Sequence, residues 1–421
     1  MVVKAELSLS SMIAVVLYTG GDLLQAMLLD FIKDKSTCTG CTACVNACLV
    51  GCISMVEDEE GFLYPHADEL CIHCDICKRI CPLFNNNTER KPDTEQYAAA
   101  AVTRNDIVWK RSTSGGAFTE ICNAIGDHET IVFGATFNGL KVEHTYVIGV
   151  ENIGVFRKSK YVQSELGDCY KQVESFLLEG KKVIFSGTPC QVAGLRSYLR
   201  KEYDNLFCID LICHGVGSPK VFDESLEYIG QKYKTRVAKY EFRHKRVFLG
   251  NFHEYLSRYE FDNKTTASEN MDVYTRFFLL QLCLRPSCQS NCRFRTCNRM
   301  GDITLGDFKG KSLVFPRLVE YRNLSTIVVN SQKGDLAFKQ LHKSMDIFKC
   351  SIDDVKKHNP LFYRTTRDNP ERDLFFSDFI NGVDIEHLLN KYGRVRINKL
   401  STVIRAWVPY RLKWWIRRLL N

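Results

Sequence analysis

The N-terminal fold is decided by the stretch CTGCTACVNACLVGC, residues 38–52, which places five thiols within fifteen residues. Four of these thiols have the spacing C-x2-C-x2-C-x3-C, namely Cys38, Cys41, Cys44 and Cys48. The stretch CIHCDICKRICP, residues 71–82, repeats this spacing with Cys71, Cys74, Cys77 and Cys81. Two identical runs of four cysteines predict a pair of metal clusters, because thiolates spaced in this way can surround one face of a cluster.

This spacing is typical of bacterial two-cluster ferredoxins, in which the fourth cysteine of each run binds the other cluster. We therefore expect Cys71, Cys74, Cys77 and Cys48 to hold one 4Fe-4S cluster, and Cys38, Cys41, Cys44 and Cys81 to hold another. Zinc is the alternative, since pairs of C-x2-C motifs also form zinc ribbons. A ninth thiol in this region, Cys52, is expected to pack in the core.

The rest of the composition fits an intracellular globular protein. The 421 residues are 45% hydrophobic, which is enough for one large domain and one or two small ones. Nineteen cysteines without a signal-peptide pattern predict a reducing compartment, so we expect a cytoplasmic protein. The apolar run 12–31 is interrupted at residues 19–22, and neither piece reaches the roughly 20 residues of a membrane span.

Positive charge is concentrated at the C-terminus. The net charge is +8, and residues 391–421 contain nine basic and no acidic side chains, so the rest of the chain is nearly neutral. No nucleic-acid partner is predicted. At helical spacing, one face of the tail is apolar and the opposite face basic, which is typical of a helix at the inner face of a membrane. A helix packed on the domain or on a partner subunit is the alternative.

Five regions follow from these patterns: a leader at 1–32, a cluster module at 33–86, a polar linker at 87–96, a large domain at 97–390 and the basic tail at 391–421. In the large domain, apolar runs alternate with helical stretches, which predicts a mostly parallel sheet covered by helices. The segments VAKYEF and HEYLSRYEF alternate polar with apolar residues and predict an antiparallel addition. The fold class is therefore an α+β ferredoxin-like module followed by a larger α/β domain.

The segment KKVIFSGTPCQVAGLRSYL predicts a strand, a tight turn and a helix. Thr188 and Gln191 fit a capping box, and Pro189 fits the first helical position. Cys190 then lies in the first turn, where unpaired N–H groups and the helix dipole favour a thiolate. Cys190 is predicted to be a ligand or a reactive thiol, with a buried packing cysteine as the alternative.

Two further segments predict sites at the start of helices. LICHGVGSPKVF ends a strand at Cys213. For the next residue, His214, a role in a site and a purely structural role are equally expected. RSTSGGAFTEICNAI is a Ser/Gly turn entering a helix, whose N–H groups would suit a phosphate.

The large domain also contains more clustered cysteines. CLRPSCQSNCRFRTCNRMGDITLGDF adds Cys283, Cys288, Cys292 and Cys297. With Cys190 and Cys213, these thiols are more than sufficient for a third cluster. The isolated cysteines are expected in the core, at positions 122, 169, 208 and 350.

The ferredoxin-type module is combined with six further motifs: SGGAFT, SKYVQSELGD, FSGTPCQVAGL, ICHGVGSPKVF, CLRPSC and DITLGDF. This combination resembles the coenzyme F-420 hydrogenase/dehydrogenase beta-subunit family. The resemblance runs from about Lys33 to about Val383. It implies an FAD-containing iron-sulfur oxidoreductase that passes electrons between the flavin and a deazaflavin or another redox partner. For the flavin it implies Ser114, Gly115, Gly116, Lys160, Tyr161, Gln163 and Ser164. For a third 4Fe-4S cluster it implies Cys190, Cys213, Cys288 and Cys292, with Cys283 in reserve.

The sequence departs from the family pattern at three places. Three residues separate Cys288 from Cys292 where the family usually has two, and Cys297 follows as an additional thiol. Lys309 stands in GDFKG where the family usually has an aromatic residue. Family sequences tend to begin shortly before the first cysteine run, which would correspond to a start at Met27.

Our leading hypothesis is an FAD-dependent iron-sulfur oxidoreductase that exchanges electrons with a redox protein or a small redox coenzyme. No catalytic side chain is indicated by the sequence. A second hypothesis is an electron-transfer adaptor without a flavin, which feeds a separate enzyme. A third is a member recruited to envelope polysaccharide biosynthesis, which the basic tail permits.

Overall fold

The computed structural model describes residues 32, 34–84, 93–248, 251–318, 322–365 and 368–394. The predicted leader, most of the polar linker and nearly all of the basic tail lie outside these ranges. Among the described residues, no helix is long and apolar enough to cross a membrane.

The N-terminal module combines a two-stranded antiparallel sheet with two short helices. Its strands are β1 (Ile53–Glu57) and β2 (Leu63–Ala67), and its helices are α1 (Ala43–Ala47) and α2 (Ile76–Ile80), preceded by a 3-10 helix at Lys35–Thr37. Each helix begins after a residue in the left-handed region, Thr42 at φ 60° and Asp75 at φ 57°. The repeated cysteine spacing is therefore accompanied by a repeated backbone conformation.

The large domain contains eleven strands within the described ranges. They are β3 (Tyr97–Thr103), β4 (Ile131–Asn138), β5 (Lys141–Ile148), β6 (Val183–Ser186), β7 (Leu206–Leu211), β8 (Val237–Phe248), β9 (Asn251–Phe261), β10 (Thr266–Glu269), β11 (Ile303–Asp307), β12 (Ser325–Val329) and β13 (Met345–Cys350).

Eleven α-helices accompany these strands in the described part of the large domain. They are α3 (Asp106–Arg111), α4 (Ala117–Ile125), α5 (Cys169–Leu178), α6 (Pro189–Leu199), α7 (Pro219–Tyr233), α8 (Val273–Leu279), α9 (Lys311–Val314), α10 (Gln332–Gln340), α11 (Ile352–His358), α12 (Arg372–Ile380) and α13 (Ile385–Tyr392). Short 3-10 helices lie at Val150–Phe156, Pro286–Cys288, Pro316–Leu318, Leu341–Lys343 and Pro360–Phe362.

The main sheet is mixed rather than mostly parallel. Its order is β13-β3-β12-β11-β7-β6-β4-β5, and three of the seven neighbouring pairs are parallel: β4 with β6, β6 with β7, and β7 with β11. The prediction of a mostly parallel sheet is therefore wrong in extent. One reason is the short turn between Asn138 and Lys141, since so short a connection can only join antiparallel strands. The run YAAAAV forms β3, which is antiparallel to both of its neighbours.

The two faces of the sheet are covered by different helices. On β4, Val132 faces a cluster that includes α4 and α10, whereas Ile131 and Phe133 face a cluster that includes α5 and α6. Residues of β6 and β7 alternate in the same way. This alternation is that of a sheet buried on both sides, as the uninterrupted apolar runs predict.

The antiparallel addition is confirmed. β8, β9 and β10 form a separate three-stranded antiparallel sheet, with β9 in the middle. It packs with α7, α8, α12 and α13 around a core rich in aromatic side chains.

The predicted strand-turn-helix segments are present. α6 begins at Pro189 behind a capping box formed by Thr188 and Gln191. α7 begins at Pro219 after Ser218, whose hydroxyl accepts a hydrogen bond from the N–H of Val221. The predicted core cysteines at 122, 169 and 208 are buried, while Cys350 is only partly buried.

Candidate functional site

The thiols of the first cysteine run are joined by one thiol of the second run. We call Cys38, Cys41, Cys44 and Cys81 the inner group. Burial raises the pKa of Cys44 well above its usual value, and the thiols of Cys41, Cys38 and Cys81 raise it further. Burial followed by the thiol of Cys41 raises the pKa of Cys81 to about 12. The fourth cysteine of the second run therefore lies beside the first three of the other run, in the arrangement that the crossed spacing predicts.

The remaining thiols of the module lie together on its outer side. We call Cys48, Cys71, Cys74 and Cys77 the outer group. Burial, followed by the thiols of Cys71 and Cys74, raises the pKa of Cys77. Cys48 reaches this group through Cys52, whose sulfur is 3.4 Å from the Cys48 sulfur. Cys71 and Cys77 pack against the core cluster that contains Cys52. Cys74 is exposed, so this group is open to solvent.

Four thiols of the large domain meet at the start of α6. We call Cys190, Cys213, Cys288 and Cys292 the third group. Burial raises the pKa of Cys190 well above its usual value, and the thiols of Cys288, Cys213 and Cys292 contribute to the shift. The hydrogen bond with Thr188 at the start of α6 acts in the opposite direction and lowers the pKa of Cys190. Cys283 and Cys297 do not join this group, since Cys283 packs in the aromatic core and Cys297 beside α11.

The inner and third groups approach each other along α6. Cys41 packs against Gly194, where a Cβ would lie 3.0 Å from the Cys41 Cβ and 3.1 Å from its sulfur. Gly194 is one helical turn after Cys190, so the two residues share a face of α6. The buried Tyr170 ring lies near thiols of both groups, and its hydroxyl donates to the carbonyl of Gln191 over 2.8 Å.

A buried arginine forms a second connection between these groups. Arg285 is fully buried, and its Nε donates to the carbonyl oxygen of Cys38 over 2.9 Å. The carbonyl of Arg285 in turn accepts from the N–H of Cys288 over 2.9 Å. Its guanidinium lies 4.0 Å from the centre of the Tyr64 ring. Arg285 therefore places a positive charge between two groups of thiols.

Beyond the third group lies a cavity of about 680 Å³. It opens along the edge where the parallel strands β6, β7 and β11 end, which is the usual place for ligands in α/β sheets. Cys213 belongs to the third group and also lines this cavity. The cavity is large enough for a cofactor.

Among the described residues, no three His, Cys, Asp or Glu side chains converge closely enough to hold a single metal ion. A 4Fe-4S cluster presents a separate iron to each thiolate, so its ligands need not meet at one point. Of the three groups, the inner group lines one small cavity with all four of its thiols.

Comparison with known proteins identifies both parts of the chain. Residues 37–96 match the 4Fe-4S dicluster domain, and residues 180–354 match the C-terminal domain of the coenzyme F420 hydrogenase/dehydrogenase beta subunit. The large domain therefore contains the C-terminal domain of this beta-subunit family.

The suspected family is thus confirmed for residues 180–354, and the chain is related to iron-sulfur electron-transfer oxidoreductases. Among solved structures, a chain of the F420-reducing [NiFe] hydrogenase complex from Methanosarcina barkeri, solved in a study of xenon derivatization, is 17% identical to this one. The match covers 72% of this chain and 94% of that chain, with a TM-score of 0.42. No curated protein matches the sequence.

Most of the residues predicted to bind a flavin line the cavity. They are Ser114, Gly116, Lys160, Tyr161 and Ser164. Gly115 and Gln163 do not belong to this lining. The N–H of Gly115 donates to the Ser325 hydroxyl over 2.9 Å, and Gln163 Oε1 accepts from Arg285 over 3.0 Å.

A hydrogen-bonded network fixes the cavity wall at Ser164. Gln191 Nε2 donates to the Ser164 hydroxyl over 3.0 Å, and this hydroxyl is 2.9 Å from Nδ1 of His144. His144 Nε2 is 3.2 Å from the carbonyl of Ser186, so this nitrogen carries the proton and Nδ1 accepts. Burial lowers the pKa of His144 to about 4, which keeps the imidazole neutral. The network joins the cavity wall to the capping box of α6.

Cations outnumber acids along the cavity. Its lining includes Arg157, Lys158, Lys160, Arg243 and Lys309, with Glu254 and Asp307 as the acidic members. Burial, together with the charge of Lys158, lowers the pKa of Lys160 to about 7. Arg243 is 2.7 Å from Asp307 and stacks 4.0 Å from the centre of the Tyr255 ring. The cavity therefore suits an anionic ligand with an aromatic part.

Several residues of the site were missed from the sequence. Arg285, Tyr170 and His144 make their decisive contacts with residues far away in the chain, so no local pattern reveals them. For Arg285 one signal was available, namely its position within the cysteine-rich segment CLRPSC.

Proposed function

We propose that this protein is an FAD-dependent iron-sulfur oxidoreductase that moves electrons between its dicluster module and a flavin bound in the cavity, with a deazaflavin or another redox partner as donor or acceptor. One observation carries the proposal. The third group lies between the inner group and the cavity, because Cys190 is one helical turn from the contact with Cys41 and Cys213 lines the cavity. An isolated electron carrier would have no need for this arrangement.

The residues fit iron-sulfur clusters at three places. The inner and outer groups would each hold one 4Fe-4S cluster of the dicluster module, and the third group would hold another. In the third group, burial followed by the neighbouring thiol of Cys288 raises the pKa of Cys213 to about 12. Such thiols lose their protons readily when iron binds, because the metal supplies the missing positive charge. Clusters of this kind carry one electron at a time.

The cavity fits the diphosphate and the rings of FAD. α4 begins beside Ser114 and Gly116, so the N-terminal end of a nine-residue helix faces the cavity. Helix N-termini and arginine or lysine side chains are the usual partners of phosphate oxygens. Phe278 and Tyr255 supply aromatic surface to the lining. FAD would exchange single electrons with the third cluster and hydride equivalents with a substrate.

The outer group is the proposed point of exchange with a protein partner. Cys74 is exposed there, and the exposed side chains of Leu70 and Ile72 flank Cys71. Residues 34–84 carry eight acidic and three basic side chains, a net charge of −5. We therefore expect a redox protein whose docking surface is basic.

Replacement of Cys190 by alanine tests the proposed path. In anaerobically purified full-length protein, C190A should retain bound flavin and both module clusters. Reduction of that flavin by a reduced ferredoxin should slow by at least about tenfold, since the third cluster is incomplete. C122A, which removes a buried cysteine outside the three groups, is the matched control and should keep the wild-type rate. Unchanged flavin reduction in C190A would contradict the proposed path.

A further inference from the structure

One buried thiol of the module belongs to neither cysteine run. Cys52 is 3% exposed, and its sulfur is 3.4 Å from the sulfur of Cys48. Cys71 packs against the core cluster that contains Cys52. Both neighbours are ligands of the outer cluster in the proposed function, so Cys52 lies beside two ligands of that site.

The backbone holds Cys52 in this position. The chain turns back after Cys48 through Gly51, whose φ of 69° favours glycine, and the Gly51 N–H lies 3.4 Å from the carbonyl of Cys48. The carbonyl of Cys52 accepts from the N–H of Asp68 over 2.9 Å, and the carbonyl of Asp68 accepts from the N–H of Cys71 over 3.2 Å. The position of Cys52 beside both cysteines therefore follows from the local fold.

In the sequence, the second run lacks such an additional thiol at the equivalent position. Cys81 occupies the place in the second run that Cys48 occupies in the first, and their backbone angles agree closely, with φ −63° and ψ 121° against φ −68° and ψ 115°. The residue four positions after Cys81 is Asn85, where the first run has Cys52. The module thus contains its own control for the effect of a fifth thiol.

On the basis of the proposed function, we propose that Cys52 is a fifth thiol of the outer 4Fe-4S site. Cys52 donates its S–H to the Cys48 sulfur, and it replaces Cys48 as a ligand when Cys48 is absent. In the replacement, the Cys52 thiol gives its proton to solvent and its sulfur bonds the iron that Cys48 would have held. No oxidant or reductant is required.

As a hydrogen-bond donor, Cys52 would change the reduction potential of the outer cluster. Hydrogen bonds to ligating sulfurs stabilise the more negative, reduced cluster and so raise its reduction potential. Removing this donor should therefore lower the potential of the outer cluster while the cluster itself remains bound.

The test compares C48A with C81A in full-length protein purified without oxygen, by iron content and by EPR of the dithionite-reduced samples. We expect C48A to keep the wild-type iron content, whereas C81A and the double variant C48A/C52A lose iron. C48A depleted of iron to the same extent as C81A would overturn the replacement role. A wild-type protein without module clusters would instead overturn the proposed function.

The single variant C52A provides an independent readout, because it keeps all eight proposed ligands of the module. Its iron content should equal that of the wild type, and the midpoint potential of one module cluster should shift to a lower value in an EPR-monitored titration. C52S, whose hydroxyl can still donate, should shift less. An unchanged potential in C52A would overturn the donor role.

Discussion

At the scale of single residues, Gly194 allows the cluster module to pack closely against the large domain. A side chain at this position would meet the sulfur of Cys41 at 3.1 Å and the hydroxyl oxygen of Tyr170 at 2.9 Å. Glycine within a helix costs about 1 kcal/mol relative to alanine. In α6 this cost is offset by the close contact between α6 and the inner group.

Replacing Gly194 by valine should therefore separate the inner group from the third group. We expect G194V to lower the thermal unfolding midpoint and to slow the reduction of bound flavin by reduced ferredoxin. G154A is the control, because a Cβ at Gly154 meets nothing within 4 Å. Wild-type flavin reduction in a folded G194V would show that this contact does not matter for electron transfer.

His144 should make stability depend on pH. Its pKa is lowered from 6.5 to about 4 by burial, with the charge of Lys160 acting in the same direction. Between pH 4 and pH 6.5 the unfolded chain binds a proton at this histidine and the folded protein does not. The free energy of unfolding therefore has its full value above pH 6.5 and falls as the pH is lowered towards 4. The loss amounts to at most about 3 kcal/mol at the acid end.

The measurement is the free energy of unfolding at pH 7.5 and at pH 5.0 for the wild type and for H144Q. H144Q should be less stable at pH 7.5, because the hydrogen bonds to Ser164 and Ser186 are disturbed. Its stability should change less between the two pH values. Equal pH dependence in the two proteins would contradict a neutral, buried His144.

The cysteine spacing predicted which module thiols lie together, because three thiols of each run follow one another closely and the fourth is expected to join the other run. The burial of Cys52 was also predicted, but its position beside Cys71 depends on a turn at Gly51 and was not. The position of Arg285 in CLRPSC was a signal, but its hydrogen bond to Cys38 was not predictable, since the two residues are 247 positions apart in the chain.

At the scale of single elements, the start of α6 positions the third group. Thr188 Oγ1 is 3.1 Å from the Cys190 sulfur, and Gln191 Oε1 accepts from the N–H of Thr188 over 2.8 Å. The same Gln191 donates to Ser164 in the cavity wall. One capping box thus serves both the thiol group and the cavity.

Loss of this cap should affect both stability and iron binding. T188A should destabilise the protein by roughly 0.5–2 kcal/mol and lower the iron content, since Cys190 loses its fixed position. S351A removes the capping box of α11, which is formed by Ser351 and Asp354, and is the matched control. It should cost a similar free energy without loss of iron. Equal iron content in the two variants would contradict a positioning role for Thr188.

The helices and strands themselves were largely predictable, whereas the relative directions of neighbouring strands were not. Uninterrupted apolar runs identified β4, β6 and β7, and the cap residues identified the starts of α6 and α7. A run such as YAAAAV fits the interior of any sheet buried on both faces. Its antiparallel pairing is decided by β12 and β13, which lie more than 200 residues later in the chain.

At the scale of the whole molecule, the module is fixed to the large domain by buried polar contacts. Arg372 is buried, and its Nη1 donates to Glu60 over 3.0 Å. The carbonyl of Glu60 accepts from the hydroxyl of Ser218 at the start of α7 over 2.5 Å. Asn46 of α1 donates to the carbonyl of Gly167 over 2.9 Å.

Neutralising Glu60 should loosen the module. E60Q removes the more buried of the two carboxylates beside Arg372 and leaves only the exposed Asp373, at a cost of about 1–3 kcal/mol for a partly buried group. E59Q removes a neighbouring exposed charge and should be neutral. The unfolding free energies of both variants, together with limited proteolysis between the module and the large domain, check this. Equal stability of E60Q and E59Q would contradict the anchoring role of Glu60.

The central claim is that three clusters lead to one flavin, and metal and flavin analysis tests it most directly. Iron, sulfide and flavin should be measured on anaerobically purified protein, with EPR of the dithionite-reduced sample. The expected result is about twelve irons and about one FAD per chain, the content of three 4Fe-4S clusters and one flavin. About eight irons without flavin would contradict the claim and leave a dicluster adaptor for a separate enzyme.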